Sequence, residues 1–515
     1  MKNSFFLVIP KQHQNPQRLK EFEAKILEQW IAELPIANPL LATRLFYDYL
    51  TDFNTVNMPA QLRLDALELL RPSLLAIEDY LRSRLVRSGF PKEENDWKTL
   101  ELLVALEKSV ALSYWIILKE LTGHAIGWFQ GKNAALAIQR CIKSLSSIVT
   151  SYFMMGMPVP DWIWMDLHSL YKLSVKIKKN TTQVAINETN RTNKTSSPEE
   201  CYLQIILLSL ADPTGLMQKE IRLVYDFIET IRSFVSLKKE AVFGQAVQCV
   251  IFTDEDKPPH YQFEAEAETD SARLYLDFTR LYQAFEQKNI RANATEARFS
   301  SMHAVNNAAE KPTIELLDYL KQRWLGINLQ STPLFSDRLD RYLAIGLTST
   351  FKLQKALATS SEDQLEFLAQ SVSNRSLSCV FKKPGILSVG SLVSFRRIDM
   401  PEHKRFLGIV DMLAVEKEEG KINFGVQLLT HQSIAVTYLP LNAATNDHPK
   451  QALFYKNKEQ DGNSYIIADT YILKEDDVIR LFINQEDFPI ILKNKKNIGL
   501  GYWQFECLKV AEKRK

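Results

Sequence analysis

Arg338 and Arg341, three positions apart, are followed some thirty residues later by Asn374 and Ser376. These are the residues in the 515-residue chain whose types and spacing point to chemistry. An arginine fork donates two parallel hydrogen bonds, which suits a phosphate or a guanine edge. An Asn-x-Ser step builds a tight turn from its own side chains and presents polar edges. That turn feeds a short apolar strand through Leu377 to Phe381. The combination reads as an anion-and-base site at the mouth of a β-barrel, one that binds and makes no bonds.

Two different kinds of structure must hold these residues. Residues 1–330 contain eight glycines and the remaining 185 contain nine. Glycine is costly inside helices and useful at strand turns, so the shift predicts a helical front and a β-rich back. Apolar residues recur at helical spacing over 16–34, 39–50, 59–70, 72–85, 96–121, 130–155 and 160–178. Ser197 with Glu200 forms a capping-box start for a helix to about 211, and another spans 218–235. Residues 246–252 and 260–265 read as a short β element within a second, mainly helical region, and an apolar run from 274 to 278 leads into a helix through 285. From Ser388 onward, short apolar runs separated by turns, with a hairpin signal at Glu419-Gly420, predict a closed or sandwiched antiparallel sheet. The expected class is α+β multidomain: an all-α region over 1–180, a mixed region over 199–330, and a β-barrel region over 335–515.

Composition excludes more than it assigns. A net charge of +2 gives no general attraction to nucleic acid or anionic membrane. The five cysteines are far apart, without CxxC or Cys/His clusters, so neither zinc nor a disulfide framework is expected. The short basic runs at 176–179, 493–496 and 513–515 read as solvated faces. No apolar window approaches a membrane span, and the apolar run before Pro10 is too short for a secretory signal, so the expected location is the cytoplasm. No nucleophile elbow, phosphate loop, dinucleotide fingerprint or zinc-protease motif occurs, and carboxylate pairs such as Glu418-Glu419 sit in polar loops. A non-enzyme without a cofactor is expected.

On these residues the back of the chain resembles the PilZ type, a bacterial β-barrel that binds cyclic-di-GMP. That type carries Arg-x-x-x-Arg before its first barrel strand and [Asp/Asn]-x-Ser-x-x-Gly some thirty residues on. Arg338 and Arg341 fall where the first element belongs, and Asn374, Ser376 and Cys379 where the second belongs. Leu387-Ser-Val-Gly390-Ser-Leu-Val393, Phe406-Leu-Gly408-Ile-Val410 and Asn423-Phe-Gly425-Val-Gln-Leu-Leu429 are similar to the strands that follow. The phrase Leu210-Ala-Asp-Pro-Thr-Gly-Leu216 is similar to one in proteobacterial proteins that join a long helical region to such a domain. Two departures stand out: the arginine spacing is three instead of four, and Cys379 replaces the last glycine. The resemblance implies a cyclic-di-GMP effector whose site comprises Arg338, Arg341, Asn374, Ser376 and Cys379. The arginines would close over the ligand from a flexible hinge, and a protein partner would bind the helical region. The alternative it leaves is a degenerate helical scaffold that binds protein partners without nucleotide. Neither reading includes nucleic acid or a membrane span.

Overall fold

The computed structural model describes residues 7–122, 130–186, 194–245, 247–263, 272–294, 296–299, 311–327, 333–356, 365–416, 420–441, 448–456, 462–469, 472–483 and 486–510. The front consists of α1 (Pro16–Glu21), α2 (Ala24–Glu33), α3 (Pro39–Thr55), α4 (Ala60–Leu85), α5 (Glu94–Thr122), α6 (Gln130–Met154) and α7 (Ile163–Lys176). A two-stranded ribbon, β1 (Val184–Ala185) with β2 (Thr195–Ser196), precedes α8 (Pro198–Leu210) and α9 (Gln218–Ile231). Asn15 and Asn38 place side-chain oxygens on free amides of α1 and α3, and each helix then begins with proline. The Ser197–Glu200 capping box starts α8 as the sequence indicates. Nearly every face of α8 is buried, which makes it the centre of the front half.

Two helix boundaries differ from the sequence reading. The helix expected over 16–34 breaks after Glu21, because the Phe22 ring turns inward to pack edge-on against Tyr49 and Phe53 at 5.5 and 4.9 Å. The break expected at Pro72 is absent, and α4 runs straight through it. A buried stripe of Leu67, Leu70, Leu74, Ile77 and Leu81 spans the proline, and its packing offsets the roughly 3 kcal/mol that an interior proline costs.

A carboxyl also lies inside the bundle, between α4 and α5. Glu107 on α5 is 1% exposed and faces Glu78 and Arg82, with the nearest Arg82 nitrogen at 3.9 Å. Burial, then the neighbouring Glu78, pushes its carboxyl well above the usual carboxylate range. The folded protein therefore holds a proton that the unfolded chain releases near pH 4.5, so this group's contribution to stability falls as pH rises above that value. Glu107→Gln keeps the shape without the titration. Its thermal midpoint should exceed the wild type's by a few degrees at pH 8, with the gap closing toward pH 4.5. Melting curves at both pH values check this.

A four-stranded antiparallel sheet follows, built from β3 (Ser236–Lys238), β4 (Gln248–Phe252), β5 (His260–Gln262) and β6 (Arg273–Asp277) in the order β3-β6-β4-β5. It leads to α10 (Thr279–Glu286) and α11 (Ile314–Trp324). Trp324 is fully buried and donates its indole N–H to the Leu207 carbonyl at 2.8 Å, which fixes α11 on α8.

The back half is two closed antiparallel barrels. The first contains β7 (Arg341–Ile345), β8 (Phe367–Ser371), β9 (Ser376–Cys379), β10 (Leu392–Arg397), β11 (Phe406–Val415) and β12 (Ile422–Thr430), with α12 (Gly346–Gln354) between β7 and β8. The second contains β13 (Ile434–Pro440), β14 (Lys450–Lys456), β15 (Ser464–Ala468), β16 (Val478–Ile483), β17 (Glu486–Gly499) and β18 (Tyr502–Lys509). Within each barrel the strands follow one order: first beside second, second beside third, third beside sixth, sixth beside fifth, fifth beside fourth, and fourth back to first. Closure leaves no free edge in either. The expected turn at Glu419-Gly420 lies partly outside the described residues, but the strands on either side pair as a hairpin, with Glu416 N–H donating to the Lys421 carbonyl at 2.9 Å.

The first barrel is fused to the helical front. Phe90 and Leu387 exchange backbone hydrogen bonds of 2.7 and 2.9 Å, Gly385 N–H reaches the Pro91 carbonyl at 3.0 Å, and Val415 N–H reaches the Gly156 carbonyl at 2.7 Å. One hydrophobic core runs from Phe22 and Leu27 through α8 into Val393, Phe395 and Phe424 inside the barrel. The barrels meet through Leu392, Leu407 and Ile409 against Leu453, Tyr455 and Ile467.

Candidate functional site

Local packing places the site at the mouth of the first barrel. Phe335 is buried and meets Phe395 of β10 edge-on at 5.8 Å, so its ring closes the barrel end. The Asn374 carbonyl accepts from both Leu334 and Phe335 N–H at 2.8 Å, which lashes the strap before β7 to the turn between β8 and β9. Strap and turn enclose a cleft of about 480 Å³, with residues 335–338 on one wall and Val372, Ser373 and Asn374 on the other. Arg338 and Asn374 are both exposed on this cleft, and Arg338 has no ion-pair partner among the described residues.

Arg341 is placed differently. It starts β7 opposite Arg397 of β10 and Ala369 of β8, and it is 2% exposed. Its guanidinium stacks 3.9 Å above the Phe335 ring, donates to the Asp337 carboxylate at 2.7 Å, and reaches the Leu339 carbonyl. The Leu339 amide, then Arg341 and Arg397, hold the Asp337 carboxyl below the usual range. Arg397 approaches the other Asp337 oxygen at 3.8 Å and also pairs with Asp399. From Pro333 onward the segment expected as an open hinge is thus a packed strap, because Phe335 and Arg341 bury against the barrel end.

The turn is built by a residue that the sequence pattern did not single out. Ser373 Oγ accepts from Arg375 and Ser376 N–H at 3.1 and 3.0 Å and lies 2.7 Å from Ser376 Oγ. Asn374 is exposed on the cleft, its side chain without a hydrogen-bond partner among the described residues, while Ser376 faces Ser373. The signal for Ser373 in the sequence is a hydroxyl at the head of the polar run, which can accept from the amides two and three residues on. Arg375 turns away from the cleft and pairs with Asp411 of β11 at 2.5 Å. Arg323 on α11 pairs with Asp212 at 3.2 Å and stacks on the Tyr319 ring. Asp212 belongs to the Leu210–Leu216 phrase, where its carbonyl accepts from Tyr319 OH at 2.9 Å. Cys379 is buried in the barrel wall with Sγ toward the Leu368 carbonyl, and burial pushes its thiol up to about 11. It does not border the cleft.

The second barrel has no arginine at the corresponding places, His431–Ser433 before its first strand and 457–463 between its second and third. Among the described residues no cluster suited to a metal ion occurs, and no helix is long and apolar enough to cross a membrane.

Residues 25–241 match the family described as the N-terminal domain of the cyclic-di-GMP receptor FimW. That span runs from α2 to β3 and precedes both barrels. The chain is similar to the cyclic-di-GMP receptor FimW of Pseudomonas aeruginosa, with 25% identity over 302 residues that cover 58% of this chain and 48% of the relative. The aligned part thus spans about half the length of that relative. No solved structure matches the chain.

Proposed function

We propose that this chain is a cytoplasmic bacterial cyclic-di-GMP effector whose first barrel is of the PilZ type, and that it is not an enzyme. One observation carries the reading: an exposed arginine ahead of the first barrel strand, without an ion-pair partner among the described residues, and an asparagine between the second and third strands share one cleft at the barrel mouth. The relative with a similar helical region is named as a receptor for that dinucleotide, which supports the ligand class. In this reading Arg338 pairs with a phosphate or the Hoogsteen edge of a guanine through charge-assisted bonds, and the Asn374 amide takes a guanine edge. Ser376 holds the turn through Ser373. In this reading the relay starts from the turn through the Arg375–Asp411 pair on β11 and acts on Arg323 of the helical region, so ligand binding alters how that region meets a protein partner.

Calorimetric titration of the full chain with cyclic-di-GMP tests it. Binding is expected, and Arg338→Ala should weaken it by about 1.5–3 kcal/mol, the scale of one charge-assisted bond. A flat titration of the wild type at high micromolar ligand would overturn the ligand assignment. The burial of Arg341 favours a second reading, a scaffold that binds its partner without nucleotide. That reading expects identical partner capture by the wild type and an Arg338→Ala/Arg375→Ala double variant, with or without cyclic-di-GMP.

A further inference from the structure

Among the groups at the barrel mouth, Asp337 is the one whose bonding conflicts with the site it borders. It lies on the cleft wall, yet its carboxylate is spent on Arg341 at 2.7 Å and Arg397 at 3.8 Å. Those two arginines sit directly opposite each other on the paired strands β7 and β10. Without the carboxylate, the Arg341 fork, which stacks on the cleft residue Phe335, and the outer nitrogen of Arg397, whose other edge pairs with Asp399, would lie side by side next to the cleft.

We propose that Asp337 is a built-in counter-anion that holds Arg341 and Arg397 closed, and that a phosphate of the bound ligand replaces its carboxylate. This rests on the reading of the cleft as a dinucleotide site and deepens it by naming how the site is regulated. Carboxylate and phosphate oxygens make the same demand on a guanidinium fork, so one exchanges for the other without moving the arginines. The strap allows the exchange. It is anchored at Phe335 by packing and at Arg341 by β pairing, while Ser336, Arg338 and Leu339 between them are exposed. Arg397 is 40% exposed, so a ligand oxygen can approach it from solvent. Arg397 thereby joins the site as a third guanidinium, supplied by a strand that the arginine motif does not include. The exchange makes affinity adjustable: a site that is open for only a fraction of the time shows its intrinsic dissociation constant divided by that fraction.

Asp337→Asn separates charge from shape, because an asparagine oxygen still accepts the Leu339 N–H that Asp337 accepts at 3.0 Å. Wild type and Asp337→Asn are titrated with two probes, cyclic-di-GMP and inorganic pyrophosphate, at one ionic strength. The variant is expected to bind about tenfold tighter, following the closed fraction it removes. Adding Arg397→Ala to Asp337→Asn should reverse most of that gain. Tightening with either probe supports the exchange. If pyrophosphate binding tightens while neither protein binds the dinucleotide, the exchange stands and the dinucleotide reading falls. Equal or weaker affinity for both probes, or no binding of either, overturns the exchange and leaves Asp337 as a turn residue that positions Arg341. An unchanged gain after Arg397→Ala removes Arg397 from the site.

Discussion

Arg341→Ala is expected to lose about 2–4 kcal/mol of folding stability together with dinucleotide binding, whereas Arg338→Ala should lose binding alone. The stability figure combines a desolvated cation–π contact of about 2 kcal/mol with a charge-assisted hydrogen bond of about 1.5–3 kcal/mol, less the part that relaxation recovers. Both interactions are visible at Arg341, stacked 3.9 Å above Phe335 and bonded to Asp337 at 2.7 Å. Its loss unseats Phe335 from the barrel end and frees the strap that forms one wall of the cleft. Arg338 is exposed and unpaired among the described residues, so its removal should stay within about 0.5 kcal/mol of wild-type stability. Arg341→Lys sharpens the comparison, because lysine keeps the charge but loses the planar stack and the fork. Chemical denaturation gives the stabilities and calorimetry the affinities. Equal stability of the Arg338 and Arg341 variants would contradict the capping role assigned to Arg341.

This difference between two arginines three residues apart also marks where sequence reasoning stops. Spacing locates residues along the chain but does not say which way a side chain faces. Once β7 is known to begin at Arg341, period-two alternation puts Arg341 on the side of Leu343, whose side chain is fully buried. Arg338 lies ahead of the strand and escapes that rule. The helical front was legible because its apolar stripes are long and its caps explicit, as at Ser197 and Glu200. Pro72 misled because a local cost was read without the buried stripe that offsets it. The β-rich back was legible as a class, from glycine distribution and alternation. Its division into two barrels of one strand order was not, since that identity lies in pairing partners far apart in sequence, such as β7 with β10 and β13 with β16. Asp337 and Arg397 were missed for the same reason: their meeting depends on β7–β10 register.

Gly89→Val should divide a single unfolding transition into two. A Cβ at Gly89 would stand 2.8 Å from the Leu387 carbonyl oxygen and 3.0 Å from that of Gly385, both backbone atoms of the first barrel that cannot rotate away. The clash falls where Phe90 and Leu387 exchange their backbone hydrogen bonds, so relief requires the helical front and the barrel to separate. Overpacking of this kind costs about 1–3 kcal/mol even where neighbours can yield. The wild type, with one core running from α2 into the barrel, should melt cooperatively over both parts. In the variant, hydrogen exchange should accelerate at 385–391 and 413–415 while α5 and α6 keep their protection. The same variant separates binding from relay. The cleft is built entirely from the strap and the β8–β9 turn, so cyclic-di-GMP affinity should survive. In the proposed relay Asp411 on β11 acts on Arg323 of α11 between the two parts, so ligand-induced protection of α11 should vanish. Retained protection of α11 in Gly89→Val would mean that the signal travels by another route. Loss of affinity together with protection would mean that the front half itself shapes the cleft.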